Sequence, residues 1–262
     1  MTVAEALQLA EEQLAEADID TPRVDAELLV AHVLGLSRTD VVLERERDVP
    51  GELDALLERR AEREPLAYVL GEWGFRRLTL KTDARALVPR PETEIVVERA
   101  LARIDCLEAP RVLDVGVGTG AIALAIADEH SGARVTGVDT SETAVELARE
   151  NAVRLGLEVE LRPAGPEATE QGWDLVVANP PYIPSETLAD LQPELRWEPS
   201  QALADVGLHE EIARRAHTQA LVLEVGDGQA AYVAETLASL RYSDVTSTRD
   251  LAGTERVVEG RR

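Results

Sequence analysis

The tetrapeptide Asn179-Pro180-Pro181-Tyr182 follows directly on the apolar run Leu175-Val176-Val177-Ala178, and its residue types suit the capture of a planar NH2 group. Pro180 and Pro181 stiffen the backbone and remove two N–H donors, so carbonyls here can face a pocket without local pairing. The Asn179 side-chain oxygen and the Pro180 carbonyl can each accept one hydrogen of the NH2 group, while Tyr182 can lie against its conjugated plane. The same four residues also make a rigid turn whose asparagine satisfies nearby backbone. A second segment, Asp114-Val115-Gly116-Val117-Gly118-Thr119-Gly120, is a glycine-rich turn. Its glycines let the backbone bend sharply and approach a ligand closely, although alone it suits a dinucleotide enzyme or a tight strand-to-helix connection equally well. Asp139 ends the run Gly137-Val138-Asp139 about 20 residues on, where a carboxylate can accept both hydroxyls of a ribose. Together the turn and Asp139 indicate an adenosine-type cofactor.

Two such loops converge only if a sheet brings them to one edge. Beyond Pro91 the pattern alternates: a helix over 92–103, a strand at 111–115, a helix at 121–127, a strand at 134–138, a helix at 142–155, and strands near 159–161 and 174–178. After an irregular stretch come a strand at 220–225, a helix at 229–240, and strands at 245–248 and 255–258. This spacing indicates a doubly wound α/β sheet, mostly parallel, whose ligands sit beyond the carboxyl ends of its strands. Ahead of it, apolar residues recur every three or four positions from Thr2 to about Glu64 (Val3, Ala6, Leu7, Ala10, Leu14, then Leu28, Leu29, Val33, Leu34), which predicts a small helical bundle. Residues 71–82, with Trp73, Phe75, Leu78 and Leu80, read as a strand or hairpin connector. The expected division is a helical domain over 1–70, a β connector over 71–88 and the α/β domain over 89–262.

Composition narrows the classes. No apolar run approaches the roughly 20 residues that span a bilayer, and the start lacks the basic and apolar segments of a secretory signal, so a cytoplasmic protein is expected. Cys106 is the one cysteine and the four histidines show no ligand spacing, so neither a disulfide nor a metal is expected. A formal net charge of -23 disfavours stable binding to a phosphate backbone.

The glycine turn with Asp139 and the NPPY tetrapeptide look like an amino-methyltransferase, and Leu87-Val88-Pro89-Arg90-Pro91-Glu92-Thr93-Glu94 narrows the likeness further. That octapeptide, the helical region ahead of it, and Leu223-Glu224-Val225-Gly226 with Gln229 resemble the HemK/PrmC family, the peptide chain release factor glutamine methyltransferases. The resemblance runs from about Pro22 to Arg262. It implies a Rossmann-like class I methyltransferase sheet with its last strand antiparallel, S-adenosyl-L-methionine as cofactor, and a release factor as the protein substrate, methylated on the glutamine of its Gly-Gly-Gln motif. It further implies that Asp114, Gly116, Gly118 and Gly120, with Val117 and Thr119 between them, cradle the cofactor's methionine portion. Asp139 holds the ribose, and Asn179 at the cofactor's edge holds the substrate amide with Pro180. No classical base is assigned to Glu224 or any other residue. Where the family has Gly-Asp after its third strand, this chain has Ala164-Gly165-Pro166-Glu167, so that either Glu167 substitutes or the adenine rests on backbone and apolar contacts. The stretch between Pro199 and Ala220 is also shortened. The rival readings are a ribosomal-protein glutamine methyltransferase, an adenine amino-methyltransferase acting on nucleic acid, and a cofactor-binding module impaired in catalysis.

Overall fold

The structure is a computed structural model that describes the chain from Met1 to Arg262, apart from the side chains of Ala189 and Asp190. The chain divides into two compact units, residues 1–72 with 192–197, and residues 73–191 with 198–262.

The smaller unit is helical: α1 (Val3–Glu16), α2 (Pro22–Leu34), α3 (Arg38–Leu43), α4 (Glu52–Ala61) and α5 (Leu66–Leu70). Thr2 caps α1 in a reciprocal box with Glu5, satisfying two backbone donors at once. The residues spaced three and four apart in the sequence, Val3, Ala6, Ala10 and Leu14, pack with Leu29, Val30, Leu53 and Leu57. One ion pair is buried among them, Arg60 Nε to Asp25 Oδ2 at 2.7 Å.

A hairpin, β1 (Glu72–Phe75) and β2 (Leu78–Lys81), in the larger unit from Trp73 onward, precedes α6 (Thr93–Ile104). Then follow β3 (Arg111–Val115), α7 (Ala121–Glu129), β4 (Arg134–Asp139), α8 (Glu142–Leu155), β5 (Glu160–Pro163) and β6 (Trp173–Ala178). The chain continues through α9 (Leu208–Arg215), β7 (Thr218–Glu224), α10 (Ala230–Ser239), β8 (Ser243–Arg249) and β9 (Glu255–Arg261). The seven strands lie in the order β5-β4-β3-β6-β7-β9-β8. Pairings from β5 through β7 are parallel, and β9 runs antiparallel to both its neighbours.

Successive strand residues face opposite layers, as the period of two requires. Val112, Leu175, Val177 and Val222 enter a core with α6 and α7, while Leu113, Val176, Leu221 and Leu223 enter one with α9 and α10. Both faces are covered, which explains the continuous apolar runs. The chain turns outward to β4 on one side of β3 and to β6 on the other, so the loops after β3 and β6 meet where the strand order reverses. Helix α9 departs from the sequence expectation of an irregular stretch. Its eight residues bury His209, Ile212 and Ala213, a face too short to stand out as a periodic run. No helix among the described residues is long and apolar enough to cross a membrane.

Candidate active site

The loop after β3 needs its glycines, because Gly116, Gly118 and Gly120 all hold positive φ, at 81°, 52° and 89°. A Cβ on Gly120 would in addition lie 2.7 Å from Leu124 Cδ1. The loop is fastened to β4. Gly116 and Val117 donate to the Val138 carbonyl at 2.8 and 2.9 Å, and Asp139 accepts from Gly118 N–H at 3.0 Å and from Ser141 N–H at 2.9 Å. Asn151, fully buried on α8, donates to the Thr119 carbonyl at 2.9 Å and to the Lys81 carbonyl at 3.1 Å, tying loop to hairpin.

Asp114 lies beneath this loop, with Oδ2 accepting from Ala123 N–H at 3.1 Å and Oδ1 buried without a hydrogen-bond partner among the described residues. Burial pushes its carboxyl up to about 7; the Ala123 bond opposes this and the Asp139 charge adds to it.

A cleft opens at the carboxyl ends of β3 and β6. Gly116, Val117, Gly118, Thr119 and Asp139 line it together with Asn179 and Pro181, so the two sequence segments do meet. One wall is the segment from Ala86 to Arg90 with Thr93; the other holds Thr140, Ser141, Ala164, Gly165 and Pro166. Pro199, Gln201, Ala202 and Leu208 complete it. Glu198, buried, accepts from Val88 N–H at 3.0 Å and pairs with Arg90, fixing the first wall. Glu167 does not line the cleft. Its carboxylate accepts from Gly165 N–H at 2.8 Å and is held low by that bond, leaving backbone and apolar atoms at this end.

Four of the sequence-derived residues stand behind the walls. Asp114 and Gly120 shape the glycine loop from below, and Pro180 is buried. Tyr182, expected against the amide plane, turns inward instead: its hydroxyl donates to Glu224 Oε1 at 3.3 Å and its carbonyl accepts from Gln229 Nε2 at 2.8 Å. Burial and the Glu224 charge raise the pKa of its phenol. The resemblance implied that the segment from Pro89 to Glu94 lies along one wall, and Thr93 does line the cleft, but the sequence reading gave Thr93 and Glu224 no individual role and missed Glu198. Thr93 Oγ1 accepts from Asn179 Nδ2 at 3.2 Å. The available signal was an acid closing an apolar strand, since a buried carboxylate demands partners.

Residues 5–71 match the PrmC N-terminal domain, and residues 93–224 match the methyltransferase small domain. A release factor glutamine methyltransferase of Deinococcus radiodurans is 40% identical over 278 residues, spanning 100% of this chain and 99% of its own length. The chain belongs to the release factor glutamine methyltransferase family. A relative of that name from Vibrio cholerae is 39% identical over 285 residues, with 99% of this chain and 96% of its own covered. Among solved structures, the human METTL16 catalytic domain in complex with a 3′-UTR hairpin aligns with a TM-score of 0.58 at 15% identity, covering 79% of this chain and 81% of that one. A Thermus thermophilus 16S rRNA methyltransferase in complex with AdoMet and guanosine aligns at 0.53 and 17%, covering 73% and 49%. At such identities these two establish the shared class I methyltransferase fold.

Proposed function

We propose that this protein transfers the methyl group of S-adenosyl-L-methionine to the side-chain amide nitrogen of the glutamine in the Gly-Gly-Gln motif of peptide chain release factors, in the cytoplasm. One observation carries the reading. Asn179 spends its NH2 group on Thr93, which leaves its side-chain oxygen as an acceptor, and it does so in the cleft lined by the glycine loop. A Cβ on Gly116 would lie 3.9 Å from the Asn179 carbonyl, so cofactor loop and acceptor loop are neighbours.

The cleft suits the cofactor. S-adenosyl-L-methionine supplies an activated methyl group on a positively charged sulfonium and carries an ammonium as well. The unpaired Asp114 Oδ1 offers a buried negative partner at that end, behind Gly116 to Gly120. Asp139 retains lone pairs for ribose hydroxyls after serving Gly118 and Ser141. An amide nitrogen is a weak nucleophile because its lone pair is shared with the carbonyl. In this reading the Asn179 oxygen orients the group, joined by the carbonyl of Pro180 although that residue is otherwise buried behind the wall, and the two favour positive charge growing on its hydrogens, an interaction strongest in the transition state. The helical unit, residues 1–70, is assigned to recognition of the acceptor protein, as its match to a family-specific domain supports. The net charge of -23 favours a protein acceptor over nucleic acid.

Incubation with labelled S-adenosyl-L-methionine and a release factor, followed by peptide mass mapping, tests this. One methyl on the Gly-Gly-Gln glutamine is expected, and none once that glutamine is changed to glutamate, which lacks both hydrogens. Label in nucleic acid, or on lysine or arginine, refutes the assignment.

A further inference from the structure

Glu224 closes β7 after the apolar residues Leu221, Val222 and Leu223, and it is buried. Tyr182 donates to Oε1 at 3.3 Å, while Oε2 is buried without a hydrogen-bond partner among the described residues. The Thr93 hydroxyl approaches the same carboxylate closely enough to favour its charged form, without closing a bond of full geometry. Thr93 is also the residue that accepts from Asn179. A buried acid thus stands two contacts from the Asn179 side-chain amide, reaching it through a single hydroxyl.

A hydroxyl has one proton, and its direction decides the polarity of everything beyond it. Beside a carboxylate the Thr93 proton is drawn toward Glu224, which leaves its lone pairs for the NH2 of Asn179. The Asn179 oxygen is then the atom left for the cleft. If the group at 224 carries a hydrogen of its own, it can donate to Thr93, which frees the Thr93 proton for the Asn179 oxygen. The Asn179 amide then turns over and presents donors where an acceptor is required. We infer that Glu224 is a positioning residue that, acting through Thr93, sets which end of the Asn179 amide faces the acceptor. This rests on the glutamine-methylating reading above.

The surroundings make the acid titratable in a useful range. Burial pushes Glu224 up to about 7, Glu92 at the start of α6 adds to this, and the Thr93 and Tyr182 hydroxyls and Arg256 on β9 oppose it. Arg256 is itself engaged by Asp250 at 2.9 Å. From α9, the His209 ring contacts the Glu224 backbone carbonyl at 2.7 Å, and burial lowers its pKa, disfavouring the charged ring. The Arg90 charge, paired with Glu198, also acts weakly on the neighbouring Tyr182 phenol. Methyl transfer therefore requires ionised Glu224, and activity is lost as pH falls through about 7.

The test is single-turnover methyl transfer to a release factor at saturating cofactor, from about pH 6 to about pH 9. Wild type should rise through pH 7 and level off. Glu224→Gln should be slower by about tenfold or more at the plateau, nearly independent of pH, with cofactor affinity within about twofold of wild type. Thr93→Val, which keeps shape and loses the hydroxyl, should show the same slow, flat profile, and Thr93→Ser should recover most of the rate. A wild-type rate and pH profile in Glu224→Gln overturns the inference, as does loss of cofactor affinity in step with transfer, which marks a structural prop. A wild-type protein that binds cofactor but leaves the glutamine unlabelled overturns the functional reading itself and the inference with it.

Discussion

Replacing Asp114 by Asn should change how stability depends on pH. In the folded protein the carboxyl is raised from 3.8 to about 7, chiefly because burial disfavours its charge. Each pKa unit is worth about 1.4 kcal/mol, so ionising this group in the folded apoprotein costs roughly 4 kcal/mol. The sign follows from proton counts. Between about pH 4 and about pH 7 the folded state keeps a proton that the unfolded state has lost, so stability falls as pH rises and levels off above the folded pKa. Asparagine has no proton to lose and can keep the 3.1 Å bond from Ala123. Its NH2 group adds a buried donor costing about 1–3 kcal/mol at every pH, which offsets the variant without altering its slope. Glu224 titrates over the same range in both proteins and cancels. Urea unfolding of the two apoproteins at a series of pH values should show their difference moving in favour of Asp114→Asn by roughly 4 kcal/mol between about pH 4 and about pH 8. Parallel curves would refute the reasoning. The same substitution should weaken cofactor binding by about tenfold or more, since the unpaired oxygen that burdens the apoprotein is the partner assigned to a cationic ligand.

Two further substitutions separate binding from chemistry. Asp139→Ala removes the acceptor for Gly118 and Ser141 and the one proposed for the ribose, and calorimetric titration should show cofactor affinity falling by about ten- to a hundredfold; an unchanged dissociation constant would place the ribose elsewhere. Asn179→Ala should cut single-turnover transfer by about a hundredfold or more with cofactor affinity little changed, and Asn179→Asp should also stay well below wild type; near-normal transfer in Asn179→Ala would make the loop structural.

What local pattern can specify, the sequence displayed. Strand and helix alternation follows from apolar spacing, and the cofactor turn follows from glycines that only a left-handed backbone explains at Gly116, Gly118 and Gly120. The meeting of that turn with Asn179 was legible because both follow apolar strands whose order can be inferred. Partnerships across distance were not. Asn179 and Thr93 are 86 residues apart, Tyr182 and Glu224 are 42 apart, and Glu198 lies 110 residues beyond Val88. Nothing in the neighbourhood of Tyr182 says that its hydroxyl points at an acid on another strand. Its inward turn depends on Gly226, where a Cβ would sit 2.9 Å from the tyrosine Cδ2. Asp114 is similar: sequence puts it at the head of the glycine turn, and only packing shows one oxygen committed to α7 and the other left over.

The outer strands of the sheet bear on how an acceptor protein can be read. β5 is four residues long and ends in Pro163, which has no N–H to offer, while Arg149 occupies the Leu161 carbonyl at 2.6 Å. β8, the opposite margin, is almost wholly exposed, carries Ser243, Asp244, Thr246, Ser247 and Thr248, and breaks register with β9 at two places. Short, proline-ended, polar or bulged margins resist the addition of another strand. Main-chain pairing with a visiting peptide, the device by which many sheet proteins bind extended segments, is thereby discouraged at both ends. Selection of the acceptor then falls to the helical unit together with side chains and loops around the cleft, and in the proposed Gly-Gly-Gln acceptor the two glycines let the visiting backbone approach closely because they bring no Cβ to obstruct it.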